Sequence, residues 1–164
     1  MKVIFDYISV VPLFYFFYLG YNFIIYKNIS DLMLGFWLAL SLFISESIKL
    51  LNYPKSLHWL TKRPPNAFNV DILSRGGIST TPGFPSSHMT TTSFFCVYII
   101  LRHYYYKNKN ILTIITFNLL LIILMALARY YKRAHNIYQI FAGTFLGTIL
   151  SVVVFKINKK IDLI

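Results

Sequence analysis

Residues 111–128, ILTIITFNLLLIILMALA, run for 18 positions without a charged side chain. The hydrocarbon core of a bilayer, about 30 Å thick, needs roughly 20 mainly apolar residues at about 1.5 Å of rise each. The stretch therefore predicts a membrane-spanning helix. Working outward, the same reading applies to 137–155 after it and to 8–26, 32–51 and 88–101 before it. The 88–101 stretch is the shortest and the most polar. Its Thr90, Thr91, Thr92 and Ser93 are compatible with a span because such hydroxyls bond back to the helix's own carbonyls. The fold class expected is an all-α integral membrane protein, with about five transmembrane helices in a bundle. Residues 1–164 form a single polytopic membrane domain in this reading.

Composition agrees. Hydrophobic residues make up 57% of the chain and charged ones 13%, with a mean hydropathy of +0.59. Soluble domains average about 45–50% apolar and about 25% charged. Soluble enzymes and soluble nucleic-acid binders are excluded, even though 16 Lys+Arg against 5 Asp+Glu give a net charge of +11. Those cations lie between the apolar runs, where membrane loops meet anionic headgroups. Membrane lipids are the expected partners, and no nucleic acid. Cys96 is the single cysteine, which rules out an intrachain disulfide and a multi-cysteine metal site. Its apolar neighbours give it a packing role. The first apolar run is long and aromatic with no small-residue cleavage site, so it reads as a retained span.

Asn52 to Pro85 holds five of the six prolines and carries Lys55, Lys62, Arg63 and Arg75. Connections of this length are usually functional or disordered. Lys55 to Lys62 predicts a short amphipathic piece at the membrane interface, where Trp59 is well placed. Lys27 to Asp31 is a tight link in which Ser30 or Asp31 caps the second helix. An odd number of spans puts the termini on opposite sides. The long loop, the N-terminus and the Arg129–His135 turn then share one face.

Three polar clusters lie on that face. The first runs from Lys55 to Pro64, the second is Pro85-Ser86-Ser87-His88, and the third comprises Arg129, His135 and Gln139. Each alone has an ordinary explanation: interfacial anchors, an N-cap, or a helix-surface pair four residues apart. Together they describe an anion site. Pro85, Ser86 and Ser87 open a helix whose first amides lack partners and carry the positive end of the dipole. Arg63 and Arg129 supply planar forks for bidentate phosphate contacts, and a lysine supplies a point charge. His88 and His135 remain for chemistry. Phosphoryl transfer needs a nucleophile, charge stabilisation and a proton for the leaving oxygen.

Order and spacing resemble the type 2 phosphatidic acid phosphatase (PAP2) superfamily of integral-membrane lipid phosphatases. Its motifs read Lys-x6-Arg-Pro, Pro-Ser-Gly-His and Ser-Arg-x5-His-x3-Asp. Residues 52–137, two loops and two spans, form the motif-bearing region. The resemblance implies that His135 attacks phosphorus to give a phosphohistidine and that His88 protonates the leaving group. It implies that Lys55, Arg63, Ser86, Ser87 and Arg129 hold the phosphate of a lipid substrate. Neither a cofactor nor a metal is implied.

The sequence departs from the pattern at four places. Seven residues separate Lys55 from Arg63; either the loop absorbs one extra residue, or Lys62 fills a motif slot. Ala128 stands for the motif serine, Ser87 for glycine and Gln139 for aspartate. A glutamine carbonyl still accepts the nucleophilic histidine's Nδ1–H but brings no negative charge. Pro-Ser-Ser-His combined with glutamine resembles the dolichyl diphosphatase branch, which implies a polyprenyl diphosphate substrate first and a phosphatidate-type lipid next. The alternative is a catalytically weak or inactive membrane protein that keeps the fold and a lipid-binding role.

Glu46 and Lys49 in the second span read as an i,i+3 pair near the interface. Gly143 and Gly147 predict close helix packing. Asn66, Asp71 and Arg75 are weaker headgroup contacts. With Lys55, Arg63 and Arg129 set aside as ligands, and Lys49 left out as a residue of the second span, five cations remain on the motif side (Lys2, Lys62, Arg75, Lys132 and Arg133). Seven lie on the other: Lys27, Arg102, Lys107, Lys109, Lys156, Lys159 and Lys160. The positive-inside rule then puts the active site on the luminal or extracytoplasmic face.

Overall fold

A computed structural model describes residues 2–65, 67 and 81–160. Asn66, Asp71 and Arg75 lie outside them. The described residues form α1 (Lys2–Tyr26), α2 (Ile29–Lys49), a 3-10 turn at Lys55–Leu57, α3 (His58–Thr61), α4 (Ser87–Tyr105), α5 (Ile111–Tyr131) and α6 (Ile137–Lys160). The all-helical membrane bundle expected from the apolar runs is the fold observed. α1, α2, α5 and α6 are long and apolar enough to cross a membrane, and the chain is a multi-pass integral membrane protein. Their outward faces keep large apolar side chains exposed, among them Phe14, Phe36, Phe117 and Phe141, as lipid-facing surfaces do.

α4 is the fifth long helix and differs for a physical reason. It packs against α1, α2, α5 and α6, so from Ser87 to Tyr98 its surface meets mainly protein, while Tyr104 and Tyr105 in its last turn are exposed. Thr90, Thr92, Ser93, Phe94, Cys96 and Tyr98 are all fully buried. The Thr90 hydroxyl donates to the Ser86 carbonyl (3.1 Å) and that of Thr91 to Ser87 (3.0 Å), the back-bonding that lets a polar run stay helical. Cys96 packs beside the Tyr15 hydroxyl.

Gly143 and Gly147 of α6 let that helix press on α4. A Cβ at Gly147 would come under 3.0 Å from the Thr90 carbonyl oxygen and the Phe94 amide. One at Gly143 would collide with the Ser86 carbonyl. The two backbones touch because neither side chain exists.

Caps set the ends. Asn28, and not Ser30 or Asp31, caps α2, its side chain accepting from the Asp31 amide (3.3 Å). This frees the Asp31 carboxylate to pair with Arg102 of α4 (2.5 Å) and to accept from Asn22 (2.9 Å). At the same end Asn158 of α6 accepts from the Trp37 indole (3.2 Å) and donates to the Tyr98 hydroxyl (2.8 Å). The segment 55–61 does fold as a short helical piece, with Trp59 exposed.

Candidate active site

The spacing from Arg129 to His135 has a local cause. α5 ends in a Schellman turn: the Ala134 amide donates to the Arg129 carbonyl (3.1 Å) and the Arg133 amide to that of Tyr130 (2.9 Å). Arg133 takes the left-handed position, with φ of 53°. Asn136 then opens α6 through a capping box. Its side chain accepts from the Gln139 amide (2.9 Å), and the Gln139 side chain accepts from the Asn136 amide (3.2 Å). Two consecutive caps leave His135 pointing back beside Arg129, both of them buried.

Gln139 is fully buried and joins three segments. Its Nε2 donates to the carbonyls of Leu60 and Lys62, 2.8 Å each. Its Oε1 lies 3.2 Å from His135 Nδ1. The two carbonyls can only accept, so the amide's orientation is fixed with the oxygen toward the imidazole. Nδ1 must then carry the proton, which leaves the lone pair on Nε2. That atom lies 3.5 Å from Arg63 Nη1. Arg63 is held by the carbonyls of Ala134 (3.0 Å) and Thr81 (3.0 Å). Burial, then the charges of Arg129 and Arg63, push the His135 imidazole well below its ordinary pKa. It is neutral near pH 7, the form that can attack.

These groups open onto a cavity of about 470 Å³. Lys49, Arg63, Arg129, Ser87, His88 and His135 form its polar part, with Glu46 beside them. Val10, Leu13 and Phe16 of α1 and Leu42 of α2 form an apolar wall. The structure thus brings together His88, His135, Arg63, Ser87 and Arg129, with Gln139 directly behind His135. Ser86 is fully buried next to the cavity, its amide donating to the Gln139 carbonyl (3.1 Å). Its hydroxyl has no hydrogen-bond partner among the described residues.

Lys55 and Lys62 are exposed and are not among the lining residues. The lysine that lines the cavity is Lys49, from the last turn of α2. It is almost fully buried and donates to Glu46 (2.7 Å) and to the Ser87 hydroxyl (2.5 Å). The i,i+3 pairing with Glu46 is present, but it is part of a contact that reaches α4. No sequence signal selects Lys49, because an i,i+3 pair with Glu46 at a helix end reads the same whether it faces solvent or a cavity. Among the described residues, no group of three His, Cys, Asp or Glu is placed to hold a metal ion.

Fold and cavity define a class, a multi-pass helical membrane protein with a cationic two-histidine site at one end of its bundle. The PAP2 superfamily profile matches residues 30–162, and the chain belongs to that superfamily; it is a PAP2-type membrane lipid phosphatase, a hydrolase. Its fold is similar to the crystal structure of the first transmembrane PAP2 type phosphatidylglycerolphosphate phosphatase from Bacillus subtilis. That match has a TM-score of 0.73 at 18% identity and covers 98% of this chain and 77% of the other. A search of curated proteins finds no match. Neither similarity selects the dolichyl diphosphatase branch.

Proposed function

We propose that the chain hydrolyses a lipid phosphate through a phosphohistidine on His135. The observation that carries this reading is the His135 ring itself. Its Nδ1–H is spent on Gln139, and its unprotonated Nε2 accepts from Arg63 Nη1 (3.5 Å) at the cavity until a phosphoryl group takes the guanidinium. Nε2 attacks phosphorus, the bond to the leaving oxygen breaks, and His88 supplies that oxygen's proton. Water then attacks the phosphohistidine, His88 takes its proton, phosphate departs and His135 is restored. Lys49, Arg63, Arg129 and the Ser87 end of α4 hold the phosphoryl oxygens. Lys49 takes the lysine role in place of Lys55 or Lys62, and Ser86 acts through its packing behind the site. The apolar wall from α1 and α2 receives the start of the lipid tail.

Polyprenyl diphosphate is the first substrate class and a phosphatidate-type monoester the second, on the strength of Pro-Ser-Ser-His with Gln139. The site faces the lumen or cell exterior in this reading; with Lys55 returned to the non-ligand cations, the count of six against seven still leans that way. The test is phosphate release by detergent-solubilised protein in chelator, with farnesyl diphosphate, phosphatidate and phosphatidylglycerolphosphate as substrates. Turnover of at least one that vanishes in a folded His135→Ala variant supports the proposal. Absence of turnover on all three, with lipid binding retained, overturns it.

A further inference from the structure

The opposite end of the bundle carries a second cavity of about 740 Å³, and it plays no part in the chemistry above. Lys107 and Lys159 line it together with Tyr104 and Tyr105, while Leu101 and Phe155 form an apolar side. We propose that this cavity binds one anionic phospholipid of the leaflet opposite the active site. The lysines would meet its phosphate, and its acyl chains would lie along the apolar side.

Three observations support the assignment. First, the loop that carries Lys107 is built and not loose. α4 ends in a Schellman turn: the Lys107 amide donates to the Tyr104 carbonyl (3.0 Å) and the Asn108 amide to that of His103 (3.1 Å). The Asn108 side chain lies 3.2 Å from His103 Nδ1 and accepts from the Asn110 amide (2.9 Å). Second, Lys107 occupies the left-handed position of that turn with φ of 51°, where glycine would be unstrained. Lys27 and Arg133 take left-handed positions as well, with φ of 54° and 53°, so the position alone selects nothing; of the three, Lys107 is the one that lines this cavity. Its side chain thus contributes to the lining of the cavity.

Third, Lys159 stands 4.7 Å from the centre of the Tyr105 ring, so the second ammonium is held at the same cavity by a cation–π contact. The aromatic rings match the headgroup level of a bilayer. Basic pockets between membrane helices are suited to phospholipid headgroups, and an apolar side selects a lipid over a free anion.

The experiment titrates the full chain in zwitterionic detergent with dioleoylphosphatidylglycerol or dioleoylphosphatidylcholine and counts bound lipids by native mass spectrometry. One phosphatidylglycerol should bind in preference to phosphatidylcholine. The double variant Lys107→Gly, Lys159→Ala should weaken it roughly thirtyfold, five- to sixfold for each lysine removed near a membrane surface. Lys107→Gly alone relieves backbone strain, so its share of the loss does not come from unfolding. Lys109→Ala with Lys160→Ala removes equal charge away from the cavity and should leave the bound lipid in place. Arg63→Ala, in the catalytic cavity, should also leave it. Equal loss in the Lys109/Lys160 variant would mean diffuse attraction and overturn the site. Loss in Arg63→Ala would place the lipid in the catalytic cavity and overturn it too. Displacement by equimolar inorganic phosphate would overturn the lipid assignment.

Discussion

Gln139→Glu returns a carboxylate to the slot where the PAP2 motif carries aspartate, and the structure argues that it should harm the enzyme. The glutamine amide donates to two buried carbonyls, those of Leu60 and Lys62, at 2.8 Å each. A carboxylate would face both as a third acceptor. Leaving a buried polar group unsatisfied costs about 1–3 kcal/mol, so two such losses approach a large part of the roughly 5–15 kcal/mol that stabilises a domain. A shift of the 60–63 segment away from the carboxylate would relieve this and would withdraw Arg63 from His135. Losing one preorganised donor at a developing charge typically lowers kcat by about 10²–10³-fold. A carboxylate at Nδ1 would also raise the His135 pKa and shift the acidic limb of kcat/KM upward. The assay is phosphate release from pH 4.5 to 8.5 for wild type and variant, with thermal unfolding followed in parallel. A Gln139→Glu enzyme as active as wild type, with an unshifted acidic limb, would refute the claim that the amide's two donations organise the site.

Lys49→Met should lower kcat/KM by about 10–100-fold, the scale of one charge-assisted hydrogen bond, while Lys55→Ala stays within about twofold, the scale of an exposed cation. Steady-state kinetics on one substrate decide between the two lysines. His135 should remain neutral below the usual histidine value of about 6.5, since burial and arginine charges depress its pKa. kcat/KM of the wild type should therefore hold as pH falls through that value. The same shift has a stability sign. The unfolded chain takes up a proton that the folded His135 refuses, so the histidine's contribution to stability is lost as pH drops below about 6.5. This is readable as a falling Tm. Gly147→Leu should lower stability by at least about 1–3 kcal/mol, the usual scale of core overpacking, because a Cβ there meets the Thr90 carbonyl and the Phe94 amide. Thermal unfolding in detergent checks it.

Much of this protein is written along the chain. Apolar run length determined the bundle of long helices, because a bilayer imposes one length scale on every crossing segment. Arg129 and His135 could be paired from sequence because their separation is set by two local caps, a Schellman turn and a capping box. Other features depended on segments meeting. α4 lacks the hydropathy of its neighbours because four other helices cover it, and burial by protein leaves no mark in a local average. Lys49 looked like half of a surface pair, and its place in the cavity depends on Ser87, distant in sequence, lying against the end of α2. Gln139 looked like a weakened aspartate until the fold set two carbonyls of the long loop against its amide. The length of each apolar run decides which segments can cross the membrane. Which polar side chains share one desolvated cavity is decided by how the helices pack, since that alone sets what each charge faces.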